Sequence, residues 1–254
     1  MKNFYSRRPA TAPVSNLHQA LIRNADGPDV RFCDTPDPSL TSNGTTFYFR
    51  DLQQHLLEEI RKADFVLGAV AWLTDPALIE ALGQTKHGAA MLVQKEDFLR
   101  SDCEDDNRSA WAQKLRIGYE KLDKGVVDRF DLPMGAHLSY LGDPGAGTGV
   151  RCVGNYNRTK NPATPRMHNK FAVFCRVSHT GKAEHGSHLL QPYGYWTGSF
   201  NWSLNAGRSF ENAVLTYDTK VAEAAASEWG NMFALSEPLD WETDWCEPEF
   251  RIGS

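Results

Sequence analysis

A histidine and a lysine two residues apart, His168 and Lys170, stand at the head of the apolar run Phe171 to Phe174. Downstream, a second apolar-aromatic run, Tyr193 to Trp196, leads into Gly198-Ser199-Phe200-Asn201, and Glu211 follows ten residues after Asn201. Side chains at i and i+2 share one face of a strand, so His168 and Lys170 are expected to project together. An imidazole beside an ammonium suits an anionic ester. The histidine can attack or carry a proton, and the lysine, a donor only, neutralises a phosphoryl oxygen.

The pattern His-x-Lys followed by Gly-Ser-x-Asn resembles the phospholipase D superfamily. The likeness rests on His168, Lys170, Gly198, Ser199, Asn201 and Glu211 with the strand-like runs around them. It departs at one position, where Cys175 stands five residues after Lys170 in place of the family's aspartate.

The resemblance implies phosphodiester hydrolysis in two displacements, without a metal or cofactor. One His168 would attack phosphorus, and a second would protonate the leaving oxygen. Lys170 and Asn201 would hold the non-bridging oxygens. Ser199 would shape the turn and hydrogen-bond the site, and Glu211 would orient a histidine and fix its tautomer. Such sites use two motifs and this chain has one copy, so the resemblance further implies a homodimer with one composite site at its interface. The implied fold is α/β: a mixed, largely parallel β-sheet flanked by helices. Arg158, Lys160 and Arg166, with Trp202 and Arg208 beside the second motif, are the expected substrate contacts.

Read singly, several of these residues also have plainer roles. Asn201 could cap the turn after it, Glu211 could be a solvated charge, and Cys175 could fill a buried strand position. His179, His185 and His188 fall within one loop without cysteines spaced for zinc. The PGAGTG stretch lacks the Lys-Ser/Thr sequel of a phosphate loop and reads as a turn. Of the aromatics near the motif (Tyr156, Tyr193, Tyr195, Trp196, Trp202), most are expected in the core, with one or two free to stack on unpaired bases.

The 254 residues, 41% hydrophobic and 23% charged, can bury a full core as one domain, taken here as 29–254. Residues 1–28 are polar and in part Pro-rich, expected as a poorly ordered arm whose deletion leaves activity intact. No apolar run approaches the ~20 residues of a membrane span, and the basic N-terminus lacks the apolar segment of a secretory signal. Five scattered cysteines fit free thiols in a reducing cytoplasm. The net charge of −5 does not announce a polyanion binder. Its distribution does better: Pro144 to Ala183 holds seven basic and no acidic residues (Arg151, Arg158, Lys160, Arg166, Lys170, Arg176, Lys182), whereas Glu237 to Glu249 is acidic.

The positioning elements follow from periodicity. Helices are expected at Asp51 to Ala63, with Asp51 as N-cap, and from Asp75-Pro76 to about Thr85. Others are expected at Ser109 to Lys124, with Trp111, Leu115, Tyr119 and Leu122 on one side, and at Thr219 to Ala234, with Val221, Ala225, Trp229 and Met232 or Phe233 inward. Buried strands are expected at Phe65 to Leu73, Ala89 to Gln94, Phe171 to Val177, Tyr193 to Thr197 and Ala213 to Tyr217, with a short strand at His137 to Leu141 and a turn at Asn43-Gly44.

Three functions compete. The first is a metal-independent nuclease acting on DNA or RNA. The resemblance alone sets this in restriction or antiviral defence, with a regulatory partner protein. The second is a lipid phosphodiesterase or phosphatidyltransferase, which would want an exposed apolar surface near the site; no membrane element is evident in the sequence. The third is a non-catalytic nucleic-acid-binding protein that keeps the fold.

Overall fold

The computed structural model describes residues 15–102, 106–124, 130–131, 138–139, 149–161, 163–179, 188–247 and 251–252. In chain order the elements are β1 (Leu21–Ile22), β2 (Val30–Arg31), β3 (Leu40–Ser42), β4 (Thr45–Tyr48), α1 (Leu52–Lys62), β5 (Phe65–Val70), α2 (Pro76–Gln84), β6 (Ala89–Gln94) and α3 (Asp106–Glu120). There follow β7 (Phe130–Asp131), β8 (Leu138–Ser139), β9 (Val150–Val153), β10 (Lys170–His179), β11 (His188–Gly198), β12 (Ala213–Thr216), α4 (Thr219–Phe233) and β13 (Arg251–Ile252). Lys182, His185, Glu249, nearly all of the PGAGTG turn and the first fourteen residues lie outside the described residues.

The main sheet runs β3-β4-β12-β11-β10-β5-β6-β9, with β7 paired to the start of β11. It is a mixed α/β sheet flanked by helices, as expected, but its parallel share is smaller than anticipated. Along that path only β5–β6 and β6–β9 are parallel, and the other neighbours are antiparallel. Parallel neighbours need a crossover, and α2 and α3 lie in the two along that path. β10, β11 and β12 follow one another without an intervening α-helix among the described residues, and they pair as antiparallel neighbours.

Alternation divides the core into two layers. Val66 and Val70 of β5 and Ala172 and Phe174 of β10 face the side that includes α1 and α2, with Leu56, Ile60, Leu78 and Leu82. Phe65, Leu67 and Ala69, with Phe171, Val173 and Cys175, face α4. Every residue of β5 and β6 is buried, which is why both read as continuous apolar runs. At Gly68 the end of the Met91 side chain fills the space a Cβ would take, 2.3 Å from that position.

Several local expectations need correction. Asp75 caps α2 through bonds from the Ala77 and Leu78 amides, but Asp51 does not cap α1. Its φ of 50° lies outside the extended conformation from which an N-cap side chain reaches back. The buried face of α4 is Ala222, Ala226, Trp229 and Phe233, so the inward stripe starts one residue later than Val221 and Ala225 suggest. Asp218 caps this helix from its side chain. Trp111 is exposed and packs on Phe98, while Leu115, Tyr119 and Leu122 are buried as expected. Strand β9 and the β3–β4 hairpin around the Asn43-Gly44 turn were not foreseen. Only Leu138 and Ser139 of the expected His137 to Leu141 strand are described, and they pair with β13 away from the main sheet.

The acidic tail is bound to the body rather than left free. The fully buried ammonium of Lys95 meets the Glu237 carboxylate and donates to the carbonyls of Thr243 and Trp245, each at 2.8 Å. Arg116 pairs with Asp240 at 2.7 Å and Arg158 with Asp244 at 2.9 Å. Cys152 and Glu237 exchange backbone bonds, so the tail covers the exposed edge of β9.

Candidate active site

Topology alone brings the motif residues to one edge. β5, β6 and β9 run parallel, so their carboxyl ends lie together. β10 opposes them and starts there; β11 opposes β10 and ends there; β12 starts there again. His168 and Lys170, at the head of β10, therefore meet Gly198 to Asn201 beyond β11 and Glu211 before β12. A crevice at the carboxyl ends of parallel strands is the usual place for a ligand in an open α/β sheet.

Lys170 pairs with Val70 across the β5–β10 ladder and is only 7% exposed. Its ammonium donates to the His168 carbonyl at 2.8 Å. Burial lowers its pKa, and the nearby Glu211 carboxylate partly opposes that. His168 is exposed to solvent. Its pKa is lowered, first by desolvation and then by the cations of Lys170 and Arg166. Both effects favour a neutral imidazole near neutral pH, the form that can act as nucleophile or base.

Gly198 is required by close approach. A Cβ there would lie 2.1 Å from the Asn212 carbonyl and 2.7 Å from the Ala213 Cα. The next residue closes the loop: the Ser199 amide donates to the Asn212 carbonyl at 3.1 Å, and the Ser199 hydroxyl accepts from the Asn212 amide at 3.0 Å. Ser199 thus ties together the two ends of the segment that carries Asn201 and Glu211. Asn201 is half-buried, and its carboxamide oxygen is buried without a partner. A buried amide normally finds one, and either end of the group can be turned toward a ligand.

No family model matches the chain. An uncharacterized protein of Acanthamoeba polyphaga mimivirus is 28% identical over 217 residues, spanning 80% of this chain and 70% of that protein. Among solved structures, NucT from Helicobacter pylori is similar over 76% of this chain and 98% of its own, at 14% identity and a TM-score of 0.46. Nuc from Salmonella typhimurium, a phospholipase D family member, is similar over 76% and 95%, at 14% identity and a TM-score of 0.43. A phosphatidylserine synthase from Haemophilus influenzae covers 78% of this chain and 41% of its own, at 14% and 0.42.

The structure separates the expected substrate contacts. Arg166 stays at the site: it is half-buried, forms a bridge with Gly154 and acts electrostatically on His168. Lys160 is exposed at a turn, and Arg208 is exposed at the end of a short 3-10 helix, Ala206–Arg208, between Asn201 and Glu211. Arg158 is engaged by Asp244 of the tail. Trp202 is not a surface contact. It is 0% exposed, and its carbonyl accepts from the Thr74 and Asp75 amides, so it packs beneath the site. The basic stretch is likewise dispersed. Arg151 is buried and donates to Ser236, and Arg176 stacks over Tyr193 and donates to the Lys62 carbonyl. Tyr193 and Trp196 pack in the core cluster beside α1 and Tyr195 in that beside α4; Cys175 is a buried filler whose thiol pKa burial pushes up. The four cysteines among the described residues are free thiols.

Sequence reading missed two contributors. Gln94, buried at the end of β6, accepts from the Met167 amide at 2.7 Å and donates to the Asn155 carbonyl at 2.7 Å, which pins the chain just ahead of His168. A Cβ on the neighbouring Gly154 would sit 2.7 Å from both Gln94 Oε1 and the Met167 amide. The second contributor is the segment 15–37. His18 lies 3.0 Å from the Ser209 carbonyl, and Phe32 packs on Phe210 at 4.5 Å. This segment walls a cleft of about 380 Å³ that reaches Glu211. Of the arm, Asn16 and His18 line this cleft.

Proposed function

We propose that this chain is a metal-independent phosphodiesterase, a nuclease acting on DNA or RNA, with a composite site shared by two copies. The observation that supports it most is the convergence at one sheet edge of His168, Lys170, Glu211 and Asn201, whose buried amide oxygen has no partner. In the first displacement a His168 nitrogen forms a bond to phosphorus as the bond to the leaving oxygen breaks. The partner subunit's His168 gives that oxygen its proton. In the second, water attacks phosphorus, its proton passes to the partner subunit's His168, and the phosphorus–nitrogen bond breaks. Lys170 and Asn201 from each copy hold the non-bridging oxygens, where fixed charge and donors carry most of such a reaction. Glu211 stays close enough to favour a charged Lys170.

The test is cleavage of labelled single- and double-stranded DNA and RNA in excess EDTA, beside His168→Ala, with light scattering on the same sample. Cleavage that survives chelation and vanishes in the variant is expected, from a dimer. Cleavage by a strict monomer overturns the composite site. Absence of cleavage on all four substrates overturns the nuclease.

A lipid substrate has one observation of its own. Leu204 and Phe210, in the loop between Asn201 and Glu211, are 58% and 53% exposed. Release of a headgroup from phospholipid vesicles, with no cut in nucleic acid, is the result that would favour it.

A further inference from the structure

We propose that Trp72 is the platform on which a base next to the scissile phosphate stacks, so that the site takes single-stranded nucleic acid. This rests on the nuclease reading and names its substrate class. Three observations place the residue. The ladder that pairs Val70 with Lys170 continues one step, with the Ala71 amide donating to the Asn169 carbonyl at 3.1 Å. Carried one residue further, that antiparallel register would set Trp72 across from His168, and opposed residues share a face. On its other side, Leu73 forms a bridge with Trp202, the residue after Asn201. Trp72 thus stands between the chain segments that carry His168 and Asn201.

Its exposure is the second point. Ala71 and Leu73 are buried, whereas Trp72 between them is 39% exposed. Trp196, Trp202 and Trp229 are each at most 2% exposed; Trp111 and Trp245 are exposed like Trp72, at 42% and 68%, but stand on α3 and in the tail. The indole N–H of Trp72 donates to Glu96 at 3.2 Å. That bond holds the ring by its edge, and stacking uses a ring's face, so the two do not compete.

The third point is chemical. A duplex keeps its bases paired and stacked on each other. A single strand presents a π-face beside every phosphate, and one aromatic ring accepts any base. With Lys170 and Arg166 drawing the phosphate, a ring between the segments that carry His168 and Asn201 is placed to take the neighbouring base. Of the aromatics singled out around the motif, Trp196 and Trp202 cannot serve because they are buried, and Tyr156, Tyr193 and Tyr195 are partly buried against the core clusters. A lipid substrate gives Trp72 no such partner.

The test uses His168→Ala as the uncleaving parent and measures anisotropy with two labelled oligonucleotides of equal length and charge. One is an ordinary single strand, the other abasic. Trp72→Ala in that parent is expected to weaken the ordinary strand about ten-fold and to leave the abasic strand within about two-fold, with Trp72→Phe close to the parent. Equal loss on both strands would mean that Trp72 only supports the edge, and no loss on either would mean that it makes no contact; each overturns the proposal. A parent that binds neither strand overturns the nuclease reading itself, an outcome distinct from the other two.

Discussion

Gly198→Ala is the sharpest probe of how the second motif is built. The added Cβ would lie 2.1 Å from the Asn212 carbonyl and 2.7 Å from the Ala213 Cα, both backbone atoms of the neighbouring strand. Bringing 2.1 Å out to the 3.4 Å of ordinary contact requires about 1.3 Å of separation (3.4 − 2.1) where β11 pairs with β12. No flexible side chain can absorb that. The separation falls on the two bonds between Ser199 and Asn212, at 3.1 and 3.0 Å.

Overpacking costs ~1–3 kcal/mol, and two lost hydrogen bonds about 1 kcal/mol each. The sum of about 3–5 kcal/mol corresponds to a fall in Tm of about 6–20 °C for a chain of this size. The same movement shifts Asn201 and Glu211, and about 1 Å of misplacement in a reacting array costs on the order of 100-fold in rate. The assay is a thermal melt and an initial cleavage rate on one preparation. Gly207→Ala is the control: it lies in the same loop, nothing stands within 4 Å of its Cβ position, and its melt and rate should match the parent. If Gly198→Ala also melts and cleaves like the parent, the approach of β11 to β12 is not what positions the motif.

Three other perturbations test separate parts of the account. Arg166→Gln removes one of the cations that, after burial, lower the His168 pKa, so that pKa should rise and the acid limb of the kcat/KM profile should move to higher pH; movement the other way refutes the assignment. Lys95→Met leaves Glu237 without its buried cation and two tail carbonyls without their donor, and should cost ~3–5 kcal/mol in urea unfolding and open the tail to protease; an unchanged midpoint would show that the strap contributes nothing. Deleting residues 1–28 removes His18 from the Ser209 carbonyl and one wall of the cleft at Glu211, which is reason to expect a higher KM and a lower Tm instead of the intact activity anticipated from composition; unchanged kinetics and melting would restore the simpler view.

What was legible in the sequence was whatever a local rule could fix. β5 and β6 announced themselves because burial on both faces leaves only apolar residues, and Asp75-Pro76 announced α2 because a cap and a proline at N1 are local signals. His168 and Lys170 were legible together because period two is a local property. The parallel share of the sheet was not, since it depends on which strands become neighbours. Trp202 and Trp72 show the same limit from both sides. Proximity to the motif made Trp202 look like a contact, yet the Leu73 bridge draws it beneath the sheet edge. Trp72 looked like the end of a buried strand, yet β5 stops at Val70, and the residue two beyond is 39% exposed. In the basic stretch, charge counts along the chain could not reveal that Arg151 turns inward and that Asp244 occupies Arg158. The cations left beside His168 are Lys170 and Arg166, enough to hold one phosphate but not to wrap a duplex. On the proposed nuclease reading, a site with so few charges would draw on a further source of affinity for each nucleotide, and the exposed Trp72 ring is the feature proposed to supply it.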